Sequence, residues 1–133
     1  MKAVRVHEFG GPEVLRLEEV PTPHPGPGQV LVRICGVGVN PVETYIRAGK
    51  YARLPQLPYT PGNDGAGVVE QVGADMTEFK AGDRAYTSGS MSGTYAEFAL
   101  CKTRRGWTLT VRFPCWPASA QRRARPRSRC RRR

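Results

Sequence analysis

Thr60 to Tyr86 reads TPGNDGAGVVEQVGADMTEFKAGDRAY, and the fold turns on how these residues are read. They predict a polar loop, a glycine-spaced strand, and a Lys80-Ala81-Gly82-Asp83 turn that delivers a second short strand. From Gly65 to Val72 small, β-branched and charged residues follow one another as in a strand with one buried face. Gly65 and Gly67 are two apart, so both strip side chains from the same face, where a backbone or a ligand can come close. Gly65-Ala66-Gly67-Val68-Val69-Glu70 opens like a dinucleotide-binding G-x-G-x-x-G. It ends in glutamate, however, and lies within a strand, so it reads as strand packing.

On the N-terminal side, Lys2 to His7 and Val14 to Val20 are β-prone and flank Gly10-Gly11-Pro12, which favours a turn over a helix; together they predict a hairpin. Pro21 to Gly28 is a loop by composition. Gln29 to Val39 predicts a strand mostly buried on both faces. Asn40-Pro41-Val42-Glu43 is a helix start: Asn40 can cap, Pro41 suits the first helical position, and Glu43 can return a bond to the cap. That helix is expected to run to about Ala48 and stop at Gly49. Val42, Tyr45 and Ile46 share its apolar face, with Glu43 and Arg47 free to pair outside. Tyr51 to Pro58 is a proline-rich loop, and Thr94 to Leu100 predicts a last strand.

Charge divides the chain. The formal net charge is +10 over 133 residues, yet residues 1–102 hold 10 Lys and Arg against 11 Asp and Glu, whereas residues 103–133 hold 11 Arg and no acid. The basicity belongs to an appendage, which predicts a near-neutral domain over 1–102 and a disordered basic tail over 103–133. Trp107, Leu109, Val111 and Phe113 alternate as an added edge strand would. Arg122 to Arg133 can act as an electrostatic arm for RNA or another polyanion, or as a nuclear import signal. Cys35, Cys101, Cys115 and Cys130 form no C-x-x-C pair and have no neighbouring histidine cluster, so free thiols are expected. No secretory signal or membrane-spanning run is visible, and a cytoplasmic protein is the expectation.

The elements add up to a mainly β fold with one or two short helices, a partly closed barrel without repeats. No run of βαβ units is present, so no Rossmann domain is expected.

Several separated blocks now carry a resemblance: Arg5-Val6, Gly10 to Leu15, Cys35-Gly36-Val37, Val39 to Arg47, the opening stretch, and Gly93 to Leu100. Over residues 2 to about 100 the chain resembles the zeta-crystallin branch of NADPH-dependent quinone oxidoreductases, in the medium-chain dehydrogenase/reductase superfamily. The resemblance implies an N-terminal GroES-like catalytic domain, NADPH as cofactor and a quinone as substrate. It also implies that Asn40, Tyr45 and Tyr51 line the cofactor and substrate cleft, with Asp64 approaching it. Each admits a plainer role: Asn40 as a helix cap, Tyr45 as core, Tyr51 as a loop anchor, Asp64 as a strand-end residue. Zinc-dependent relatives have a cysteine ligand and a His-Glu pair where this chain has Gly38 and Asn63-Asp64, which points to a zinc-free site.

The likeness stops at Leu100. The expectation is a truncated, catalytically incomplete domain with an unrelated tail, its exposed interdomain surface prone to self-association.

Overall fold

The computed structural model describes residues 1–102. β1 (Lys2–Val6) pairs antiparallel with β2 (Leu15–Glu19) in a register running from Lys2↔Glu19 to Val6↔Leu15, which is the expected hairpin. Its connection differs in one detail. Pro12–Val14 makes a single 3-10 turn, in which the Glu13 carboxylate accepts the Gly11 N–H at 2.9 Å, and Val14 is buried there instead of opening β2.

The second sheet has the order β5-β4-β3-β6, antiparallel throughout: β3 is Gln29–Val37, β4 Asp64–Val72, β5 Arg84–Ser88 and β6 Phe98–Lys102. Its core is built from one face. Val30 and Val32 of β3, Val69 of β4, Ala85 of β5, and Ala99 and Cys101 of β6 are all buried, and Met76 and Phe79 from the β4–β5 connection pack against them. The connection ends in the expected turn, where Lys80 O accepts the Asp83 N–H, the Asp83 carboxylate accepts the Lys80 N–H, and Gly82 takes φ +90°.

Gly67 shows why β4 is glycine-spaced. A Cβ there would lie 1.9 Å from the Arg33 carbonyl oxygen, beside the register irregularity between Ile34 and Gly36. The close approach is made by backbone, and no phosphate loop is formed.

Two strand expectations need correction. β3 is buried on both faces only from Val30 to Val32, and Cys35 to Val37 are exposed. The cause is pairing: β6 accompanies β3 only from Gln29 to Arg33, so its far half has β4 as its one neighbour in the sheet. The last strand begins at Phe98, not Thr94, because the residues before it bond elsewhere. Thr94 and Tyr95 donate their N–H groups to Gly62 O and Pro61 O, and Ala96 bridges to Ala3 of β1. That bridge and Val6↔Tyr59 tie β1 to the segments that precede β6 and β4, and among the described residues β5 and β6 are the edge strands of the larger sheet, so the described barrel is open.

Helix α1 spans Pro41–Arg47, is capped at Ala48, and is followed by Gly49 at φ +71°, as the sequence predicts. No βαβ unit occurs among the described residues, since every strand pairing is antiparallel. None of their helices is long and apolar enough to cross a membrane. The alternating run from Trp107, the free thiols at Cys115 and Cys130, and the polyanion arm at Arg122 to Arg133 lie outside the described residues.

Candidate functional site

Asn40 precedes α1 in an extended conformation and closes a capping box with Glu43, whose Oε2 accepts the Asn40 N–H at 3.1 Å. The expectation that Glu43 faces outward to Arg47 fails. Glu43 is 8% exposed: Oε1 accepts the Asn63 N–H at 2.9 Å, and Oε2 also accepts the Tyr95 hydroxyl at 2.6 Å. Arg47 instead donates from Nε to Gly10 O at 3.4 Å. An i, i+4 spacing puts two residues on one side of a helix but does not say which side meets solvent. Here that side meets the 61–63 and 94–95 segments.

The carboxylate affects its neighbours. Tyr95 is pushed well above its ordinary value of 10.0, first by burial and then by its hydrogen bond to Glu43 and the negative charge there. Tyr59 is raised by burial, with the Arg47 cation opposing and Glu43 adding. The Tyr59 hydroxyl is buried without a hydrogen-bond partner among the described residues.

Asn40 and Asp64, 24 residues apart, are joined by an Asn40 Nδ2 to Asp64 Oδ2 hydrogen bond of 2.9 Å. Gly38 donates its N–H to Asp64 O at 3.0 Å, and a Cβ on Gly38 would stand 3.2 Å from the Asp64 Cβ. Asn63 reaches the other Asp64 oxygen at 3.5 Å. Gly38, Asn63 and Asp64 therefore meet in space, but as a donor set they do not fit a catalytic zinc. Glycine offers no ligand, a neutral amide is a weak one, and the carboxylate is held by Asn40, whereas such a site needs three strong protein ligands.

Beside this cluster lies a cleft of about 710 Å³. Tyr51, Arg53 and Leu54 form one lip, Ser90 to Gly93 another, and Glu43, Tyr59 and Asn63 belong to its wall. Among the residues singled out from sequence, Tyr51 lines the cleft, and Asn40 and Asp64 are locked together next to its wall. Tyr45 does neither: at 56% exposed it is not core, as its helical spacing suggested, and it does not line this cavity. Arg5, Tyr59 and Tyr95 were not singled out as site residues from the sequence, and Glu43 was read there only as a helix-capping, outward-facing acid. Only Glu43 carried a signal, its capping-box position, and that signal concerns the helix and not burial. The two cysteines described, Cys35 and Cys101, are free.

Residues 26–111 match the family described as alcohol dehydrogenase GroES-like domain. The chain is similar to quinone oxidoreductase from Homo sapiens, 59% identical over 101 residues that make up 75% of this chain and 31% of that protein. It is also similar to quinone oxidoreductase from Pseudomonas aeruginosa, 44% identical over 97 residues, covering 72% of this chain and 29% of the relative. Among solved structures, Escherichia coli quinone oxidoreductase complexed with NADPH superposes with a TM-score of 0.71 at 35% identity, over 75% of this chain and 30% of that one. A mycobacterial protein solved with NADPH gives 0.73 at 38%, over 84% and 34%. The chain spans about a third of the length of the curated relatives it matches.

Proposed function

The chain belongs to the alcohol dehydrogenase GroES-like domain family, and from that premise we propose that it forms the substrate-side wall of a zinc-independent NADPH:quinone oxidoreductase site. The observation that carries this reading is the 59% identity with the human quinone oxidoreductase, which runs through 101 residues.

NADPH, when bound, supplies the hydride, and the protein contributes binding, orientation and electrostatics. Tyr51 stands on the cleft lip with a ring suited to a flat nicotinamide or quinone. Asn40 is oriented by Asp64, and Tyr45 presents an exposed ring on α1. We assign Tyr51 to contact with cofactor or substrate inside the cleft, Asn40 and Tyr45 to contact with the part of the cofactor that extends beyond it, and Asp64 to holding Asn40 in place. Gly38 and Asn63 stand where the resemblance places ligands of a metal-dependent site, and since neither is a strong ligand we assign no Lewis acid to the reaction.

The same reading calls for a nucleotide-binding domain facing this wall. A dinucleotide pyrophosphate is ordinarily received at a glycine-rich turn and helix N-terminus of a βαβ unit. The described residues contain no such unit, and we infer that residues 1–102 act only against a nucleotide-binding domain. The decisive experiment replaces the corresponding domain of the Escherichia coli enzyme with residues 1–100. The folded chimera is expected to reduce quinones with NADPH, and Tyr51→Phe to weaken it; a folded but inactive chimera refutes the proposed wall. Residues 1–133 alone are expected to show no quinone-dependent NADPH consumption, and saturable consumption lost on Tyr51→Phe overturns the need for that domain.

A further inference from the structure

We propose that the cleft selects planar aromatic ligands bearing an acidic substituent, with Arg5 and Arg53 as the residues that recognise the charge. This rests on the quinone-wall reading and narrows its substrate class to quinones carrying a sulfonate, carboxylate or phosphate.

The charged side chains lining the cleft are Arg5, Arg53 and Glu43. Glu43 is already committed, since its carboxylate accepts from two backbone N–H groups and from the Tyr95 hydroxyl. Arg5 is held in place but not neutralised. Its Nη2 donates to Pro58 O at 3.0 Å and its Nη1 lies 3.4 Å from Thr60 Oγ1, both uncharged acceptors. A guanidinium has five N–H donors, so Arg5 keeps donors for a ligand while its direction is set. Arg53 is exposed and makes no ion pair with another described residue. One pre-oriented cation and one cation without an ion pair among the described residues thus share a cavity with a carboxylate that already accepts three hydrogen bonds.

Much of the remaining lining is flat or apolar, with Thr60, Asn63, Ser90 and Ser92 as its polar members. Tyr51, Leu54 and Met91 are 46%, 40% and 52% exposed at the cleft, large surfaces left open beside the two arginines. A cavity of about 710 Å³ lies within the range of small-molecule sites. An apolar ring covers the tyrosine, leucine and methionine, and an acidic group on its edge meets the guanidinium fork.

Anthraquinone-2-sulfonate and the neutral 2-(hydroxymethyl)anthraquinone share a ring system and differ in charge, so they separate the two contributions. Each is titrated into the 133-residue chain while the backbone amides of Gly62, Asn63 and Ser92 are followed by NMR. Those amides belong to residues that line the cleft, and Arg53→Gln leaves the arginines beyond residue 102 in place, so the variant separates recognition in the cleft from attraction to them. The sulfonate is expected to bind about fivefold more tightly than the neutral ring at low salt, and Arg53→Gln to bring the two within about twofold. Raising the ionic strength to about 0.5 M is expected to erode the same preference. Equal affinities in the native chain, or a preference untouched by Arg53→Gln, overturn charge selection and leave the planar cleft standing. Absence of any cleft shift with either ring overturns both.

Discussion

Glu43 is an acid on a seven-residue helix, and its carboxylate ties three separate segments together: the start of α1, the loop at Asn63 and the bend at Tyr95. Glu43→Ala leaves two backbone N–H groups and a tyrosine hydroxyl without their acceptor. A loss of about 3 kcal/mol is expected from urea unfolding, and a loss under about 1 kcal/mol contradicts the network. Tyr95 gives a pH prediction. Its folded-state value is raised above the ordinary 10.0, chiefly by burial, so the folded protein favours the neutral hydroxyl. That contribution is fully present below pH 10 and is lost as pH rises above it, when the unfolded chain ionises and the folded chain resists. Tyr59 and the buried Cys101 thiol are raised in the same sense. The urea midpoint should therefore fall above pH 10, and Tyr95→Phe should start lower at neutral pH but decline less steeply. An unchanged alkaline slope refutes the assignment. The residues picked from sequence fared unevenly at this scale. Asn40 and Asp64 proved to be hydrogen-bonded partners, whereas Tyr45 proved exposed, because a helical stripe of apolar residues does not reveal how far the neighbouring elements reach over it.

At the scale of elements, local rules carried most of the information. The cap at Asn40, the stop at Gly49 and the turn at Lys80 to Asp83 all depend on bonds within a few residues, and all formed where the sequence placed them. The β4 glycines could be located but not ranked. Only the paired backbone shows that Gly67 lies against Arg33 O, while Gly36 has nothing within 4 Å of an added Cβ. Gly67→Ala should cost about 3 kcal/mol or more, since the obstacle is backbone and cannot rotate away. Gly36→Ala should change stability by no more than about 0.5 kcal/mol. Equal effects in parallel denaturation curves would count against the close approach. The late start of β6 has the opposite origin: Thr94 to Ala96 alternate well enough for a strand, but their hydrogen bonds go to Pro61, Gly62 and β1, partners remote in sequence.

Across the whole molecule, the four-stranded sheet holds the buried cluster, and the β1–β2 hairpin is tied at Ala3↔Ala96 and Val6↔Tyr59 to the segments that precede β6 and β4. Among the described residues β2 has β1 as its only sheet neighbour and leaves Leu17 70% exposed. In native-state hydrogen exchange the amides of Val32 and Val69 should therefore exchange at least about tenfold more slowly than those of β2. Equal protection would mean that the two sheets open as one unit. The sequence by itself determined the class of fold, the helix and its ends, the two turns, the division of charge at residue 102 and the family, because each depends on short-range pattern or on residue identity in order. It also determined that Gly38 and Asn63 cannot serve zinc, since that follows from side-chain chemistry. Only the tertiary structure decided that Glu43 is buried, that Asn40 meets Asp64, that Tyr45 lies outside the cleft and that Arg5 and Arg53 share it. Those facts depend on which segments, tens of residues apart, pack against one another, and no local period encodes that distance.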